Sequence, residues 1–271
     1  MYMKRTFLAK LQRSALSCLI GALLLVLGVP LYQFLVLTPA GYGSALNTIA
    51  QTLRWINGHG LLFSGYRALL VVGFALMFGF PFALFRIIVA QEIIGREEIE
   101  GENEDGEAAT AEHDGASQAD GLPEFAWRGK GYAVLAAWTG LPGLIFFAGG
   151  TLASTIYLLS SAASLSSQST GDLASLTGLF AILTYTVGGG LLGLSSLFFG
   201  AVIARSGRRL WPDSWVIFGY VGLAIAALMC GSAVELAFAP TGQALLSTPA
   251  ILLFALWALW FGVMVVRLKP E

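Results

Sequence analysis

The sequence predicts an all-helical, polytopic integral membrane protein: a bundle of six transmembrane helices with the N and C termini both cytoplasmic. Three observations carry this expectation. Hydrophobic residues make up 56% of the 271 and charged residues only 11%, with a mean hydropathy of +0.76, whereas soluble domains carry about 25% charged residues. Six mainly apolar runs reach the roughly 20 residues that a helix, rising about 1.5 Å per residue, needs to cross a hydrocarbon core about 30 Å thick. With six crossings, 13 of the 15 basic residues fall on one side, and cytoplasmic flanks are the ones that retain positive charge. Closed β-barrel strands would instead show as stretches of about 10 residues with alternating character.

The elements follow in order. Residues 1–13 read as a basic interfacial segment, with Phe7, Leu8 and Leu11 set among Lys4, Arg5, Lys10 and Arg13. The first span, 14–37, runs on through Pro30 without a small-x-small cleavage site, so it is expected to be retained rather than removed as a secretory signal. In the outer loop 38–60, Leu46, Ile49, Ala50, Leu53 and Ile56 recur at intervals of three and four, with Gln51 and Arg54 off the stripe. That periodicity predicts a short interfacial helix capping the bundle, with Trp55 at headgroup level. The second span, 61–88, completes the unit 14–91 and is expected to bend near Gly79 and Pro81, as the first is near Pro30.

The stretch 92–131 breaks the composition. Twelve of the 16 acidic residues lie between Glu92 and Glu124, with one basic residue among them and much Gly, Ala and Ser. Such a segment buries too little apolar surface to offset its ordering entropy, which predicts a mobile acidic cytoplasmic loop. Its last part, "PEFAWRGKGY" at 123–132, is a candidate for a short ordered helix. The remaining spans, 132–160, 173–204, 215–239 and 245–266, occupy the unit 132–271.

Charge inside the spans is sparse. Arg67 lies roughly 9 Å and Glu235 roughly 7 Å below the same outer surface at helical rise. A charge in hydrocarbon costs about 2.5–3.5 kcal/mol on insertion scales, and pairing lowers that cost. A structural ion pair between Arg67 and Glu235 is therefore expected; the alternatives are a ligand or transport path, or snorkelling to the interface. Glycine is the second signal. Gly149 and Gly150 in the third span, with Gly188, Gly189, Gly190 and Gly193 in the fourth, are expected helix-packing positions, because small residues let backbones approach without a hydrophobic drive between helices. The alternative is that the triplet 188–190 loosens its helix and frees carbonyls to line a cavity.

Several functions are disfavoured. A net charge of −1 and the absence of a basic cluster argue against nucleic acid as a partner. Cys18 and Cys230 both sit in apolar runs and lack the paired spacing of a disulfide or metal site. "GLSS" at 193–196 superficially resembles the nucleophile motif of intramembrane serine proteases, but the two histidines, His59 and His113, fall in expected loops and supply no base. The same lack removes haem ligation, and neither a zinc motif nor a phosphate-binding loop occurs. No catalytic residue, cofactor or metal is expected, and no internal repeat marks a carrier. The sequence points to a non-enzymatic subunit of the cell membrane, in contact with the lipid bilayer and with protein partners or further copies of itself. The alternative is a permease, or the membrane half of an ATP-driven transporter.

Overall fold

The computed structural model describes residues 5–43, 48–91, 123–164, 170–238 and 246–268, and their side chains except at 5–8, 123–129, 170–175 and 209. The acidic stretch up to residue 122, with His113, lies outside them. Among the described residues six helices are long and apolar enough to cross a membrane: α1 (Ala9–Leu37), α2 (Ile49–Gln91), α3 (Lys130–Ala163), α4 (Leu176–Arg208), α5 (Asp213–Phe238) and α6 (Ser247–Val266). This is the architecture of a multi-pass membrane protein.

Each helix packs on the next in sequence, and α6 closes back on α1, so the six form a ring in chain order. The ring's interior is filled by aromatic side chains. Phe80 of α2 meets Phe254, Trp257 and Phe261 of α6 edge-on, at centroid distances of 6.0, 5.4 and 5.1 Å. Phe218 of α5 stacks on Trp257 at 4.6 Å. At the end carrying the chain termini, the Gln12 amide donates to the Leu268 carbonyl at 2.8 Å. The opposite, distal end carries the short connections after α1, α3 and α5.

Proline and glycine set the local irregularities. Pro30 has no N–H and its ring collides with the carbonyl four residues earlier, so α1 widens into π turns on either side, Leu24–Gly28 and Gln33–Leu37. The helical geometry of α2 breaks at Met77, with a turn from Phe80 N–H to the Met77 carbonyl at 2.9 Å, just ahead of Pro81. Pro142 lies within α3 without ending it.

The helix expected in the outer loop is present, but as the first part of α2 rather than as a separate element. Thr48 caps it in a reciprocal box with Gln51, which satisfies two of the first N–H groups. His59, at φ −130° and ψ 32°, then kinks it into the span. Leu53 and Ile56 bury against Phe63 and against Ala162 of α3. The Trp55 indole donates to the Ala40 carbonyl at 2.7 Å.

A second difference concerns 92–131. From Pro123 onward this stretch is helical and runs unbroken to Ala163, so its last part extends α3. Proline is well suited to a first helical turn, where its missing N–H would have had no partner in any case. The basic segment before α1 is likewise helical from Arg5 and continuous with the span, and Leu11 is buried in the main core.

Candidate functional site

Hydroxyl side chains gather at the distal end between α2, α3 and α4. On α3, Thr151, Ser154 and Leu158 follow one another at intervals of three and four, which places them on one helix face. On α4, Thr177, Phe180, Ala181, Thr184 and Tyr185 do the same. Residues 182–188 of α4 are a π turn, Ile182–Gly188, and such turns arise where a helix gives up regular hydrogen bonding, often at functional sites. Together with Arg67 of α2 these two faces enclose a cavity of about 110 Å³, open along one side.

Among the described residues, Arg67 supplies the only formal charge of the cavity lining. Its guanidinium carbon lies 5.3 Å from the centroid of the Phe63 ring, one turn earlier on the same helix. Its Nε is buried without a hydrogen-bond partner, and among the described residues Arg67 makes no ion pair or hydrogen bond. Nearby, Tyr42 packs against Trp55 at 4.9 Å and against Phe63 and Tyr66 at 6.5 Å. Burial pushes the Tyr42 phenol above its ordinary range, and the charge of Arg67 opposes that rise.

The hydroxyls divide by what they can still offer. Ser154 donates to the Thr151 carbonyl at 2.9 Å, so its proton is used within its own helix. The hydroxyls of Thr151, Thr184 and Tyr185 make no hydrogen bond among the described residues and keep their protons available. The guanidinium can only donate and each hydroxyl can donate or accept, so this space can satisfy a ligand that only accepts hydrogen bonds. Its one described charged side chain is a cation and its walls are partly apolar.

Glu235 is elsewhere. Its carboxylate accepts a hydrogen bond from the Leu246 N–H at 3.1 Å, at the start of α6. The ion pair expected between Arg67 and Glu235 is not formed: the distal half of α2 packs on α1, α3 and the start of α4, whereas α5 packs on α4 and α6. A closed ring in chain order puts α2 and α5 apart.

The packing glycines also divide. A Cβ on Gly150 would strike the Thr184 hydroxyl, one on Gly188 would meet Phe146 and Phe147 at 3.1 Å, and one on Gly193 would meet the Cys230 sulfur at 2.8 Å. These three hold α3, α4 and α5 close. Gly190 makes an ordinary contact with Ala233 at 3.7 Å and Gly189 only brushes Phe147 at 4.0 Å. Gly149, expected to pack, has nothing within 4 Å because it points out of the bundle. The triplet itself stays helical; the loosened stretch is the π turn that ends at Gly188. Ser195, the first serine of "GLSS", donates to the Ala136 carbonyl at 2.7 Å and ties α4 to α3.

The sequence did not single out Thr151, Ser154, Thr184 or Tyr185, although their helical spacing was there to be read. Polar residues of this size are common in membrane helices as packing groups, and only their convergence on Arg67 distinguishes them. Among the described residues no group of three or more His, Cys, Asp or Glu is placed to hold a metal ion. The chain matches no protein-family model, and no curated protein and no solved structure matches it.

Proposed function

We propose that the chain is a multi-pass protein of the cytoplasmic membrane, non-enzymatic, that takes a small polar solute into the cavity between α2, α3 and α4, as a permease does. One observation carries this: a guanidinium lies within a membrane-spanning helix, its Nε buried and unpartnered, facing hydroxyls from two other helices. An ionisable residue held inside the bilayer at such cost marks a solute path or ligand site unless a partner explains it, and here no described residue pairs with it. Basic residues support both termini being cytoplasmic. Lys10, Arg13, Arg86, Lys130, Arg205, Arg208 and Arg267 gather at the terminal end, against Arg54 at the distal end. The cavity then lies in the outer half of the membrane.

Thiol accessibility tests the permease. In a background of Cys18→Ala and Cys230→Ala, single Ser154→Cys and Thr177→Cys variants are exposed to a membrane-impermeant maleimide from each face. Labelling from both faces is expected of a site with alternating access. Labelling from the outer face alone would leave a fixed binding site and remove transport, and labelling from neither would remove the site.

Assembly with other membrane proteins is a second reading, supported by Gly149. This glycine and half-buried Ala153, four residues on, leave a shallow strip on the outward face of α3, beside exposed Ile145, Leu152 and Ile156. Such small-residue strips accept a second helix at close range. Gly149→Ile is expected to break any oligomer seen by crosslinking while leaving the single chain as stable as before.

A further inference from the structure

We infer that the ligand of the Arg67 cavity is a small oxyanion, a carboxylate or a phosphate-type group, held by the guanidinium fork with the hydroxyls of Thr151, Thr184 and Tyr185 donating to its oxygens. This rests on the cavity being a binding site, as proposed above, and specifies its chemistry.

Charge comes first. Among the described residues the lining contributes one cation and no carboxylate, so an anion is the ligand that neutralises the site, and a cation would meet uncompensated repulsion in a medium of low dielectric. Donor capacity points the same way. Arg67 offers five N–H groups and can only donate, and the three hydroxyls without partners can each turn one further O–H toward the same ligand, although they can also accept. A ligand that only accepts hydrogen bonds fits such a set. Geometry then favours an oxyanion over a halide, because a planar guanidinium matches two oxygens at once and a spherical ion can use only part of the fork.

Size sets the limit. The roughly 110 Å³ of the cavity is several times the roughly 10–15 Å³ of such volume that one water needs, which admits a carboxylate or phosphate-sized group. The Phe180, Ala181 and Leu158 side of the cavity accommodates a short apolar substituent. The group can arrive as a free ion or as the headgroup of an anionic lipid entering through the open side. The chemistry at Arg67 is the same in both cases.

The test uses the full-length protein purified in a neutral detergent. Sodium acetate and sodium phosphate are titrated at constant ionic strength against sodium chloride, and binding is read as a saturable rise in Tm. A rise with acetate or phosphate beyond that with chloride is expected. The apparent affinity should fall about tenfold or more in Arg67→Gln, the size of a lost charge-assisted hydrogen bond. Should Arg67→Gln fold poorly, Tyr185→Phe and Thr184→Val remove single donors at nearly constant volume, and each should weaken binding severalfold.

In a second arm the protein is placed in phosphatidylcholine nanodiscs with and without phosphatidylglycerol. A stabilisation by phosphatidylglycerol that is lost in Arg67→Gln, without any response to acetate or phosphate, identifies a lipid headgroup as the oxyanion and supports the inference. Equal response to chloride, acetate and phosphate would overturn it in favour of a halide site. No response to any of them, with no difference between wild type and variants, would overturn it outright. Saturable stabilisation by millimolar glycerol that persists in Arg67→Gln would defeat the oxyanion while leaving the cavity as a site for a neutral solute.

Discussion

The carboxylate of Glu235 and the backbone N–H of Leu246 are joined at 3.1 Å, which places the acid of α5 at the entrance to α6. The first N–H groups of a helix have no partner within it, and a negative charge there also meets the favourable end of the helix dipole. This half-buried carboxylate near the end of an apolar span thus has a partner other than Arg67.

Because Arg67 and Glu235 stand on helices that are not neighbours, their substitutions should act independently. Glu235→Ala is expected to lower stability by about 1 kcal/mol, as the loss of a helix cap does. Combined with Arg67→Gln, the two effects should add within about 0.5 kcal/mol. A double-mutant cycle in detergent measures this, and a coupling well above that margin would restore the ion pair.

Adjacent glycines of α3 should respond in opposite ways. At Gly150 an added methyl meets the Thr184 hydroxyl, so Gly150→Ala should destabilise by about 1–3 kcal/mol, the usual cost of overpacking. At Gly149 there is open space, and Gly149→Ala should be neutral or stabilising by up to about 1 kcal/mol through higher helix propensity. Thermal unfolding of the two variants side by side decides it, and equal losses would refute the placement of the helix face.

The α5–α6 contact rests on Trp257. Its indole N–H donates to the Phe218 carbonyl at 3.0 Å, and the edge of its ring is 2.8 Å from where a Cβ on Gly222 would lie. Trp257→Phe should cost about 1–3 kcal/mol by losing that hydrogen bond and part of the packing. Gly222→Ala should cost a similar amount through overpacking. The double variant should be less destabilised than the sum, since the smaller ring vacates the space that the methyl needs. Strict additivity of the Tm losses would argue against direct contact.

Alkaline pH should destabilise the distal cap. The Tyr42 phenol has its pKa raised above 10.0 by burial, with Arg67 acting in the opposite direction. A raised pKa means that the folded state holds the proton more tightly than the unfolded chain. The contribution is therefore complete below pH 10 and is lost as pH rises through the folded value. Denaturation midpoints measured across that range should fall less steeply in Tyr42→Phe than in the parent, and identical slopes would contradict the buried phenol.

How much of this was legible beforehand can be followed through particular residues. The run lengths and the sparse charge located six helices, and the proline positions located irregularities that the structure realises as π turns beside Pro30 and a break before Pro81. The stripe Ile49, Leu53, Ile56 gave a helix, yet its merger with α2 depended on how the chain turned at His59. Gly150, Gly188 and Gly193 were recognised as packing positions, but Gly149 was not separable from Gly150 by type or spacing.

Composition and periodicity act locally: they fix which segments must bury their backbone polar groups in helices and about how deep each side chain lies along its own axis. They carry no information on rotation about that axis or on which helix stands beside which. Those two quantities are settled by close contacts such as Gly150 on Thr184 and Gly193 on Cys230, together with closure of the ring between α6 and α1. They turned Glu235 toward Leu246, aimed Gly149 outward and brought Thr151, Thr184 and Tyr185 around Arg67. Depth was written in the chain, while azimuth and neighbour came only with packing.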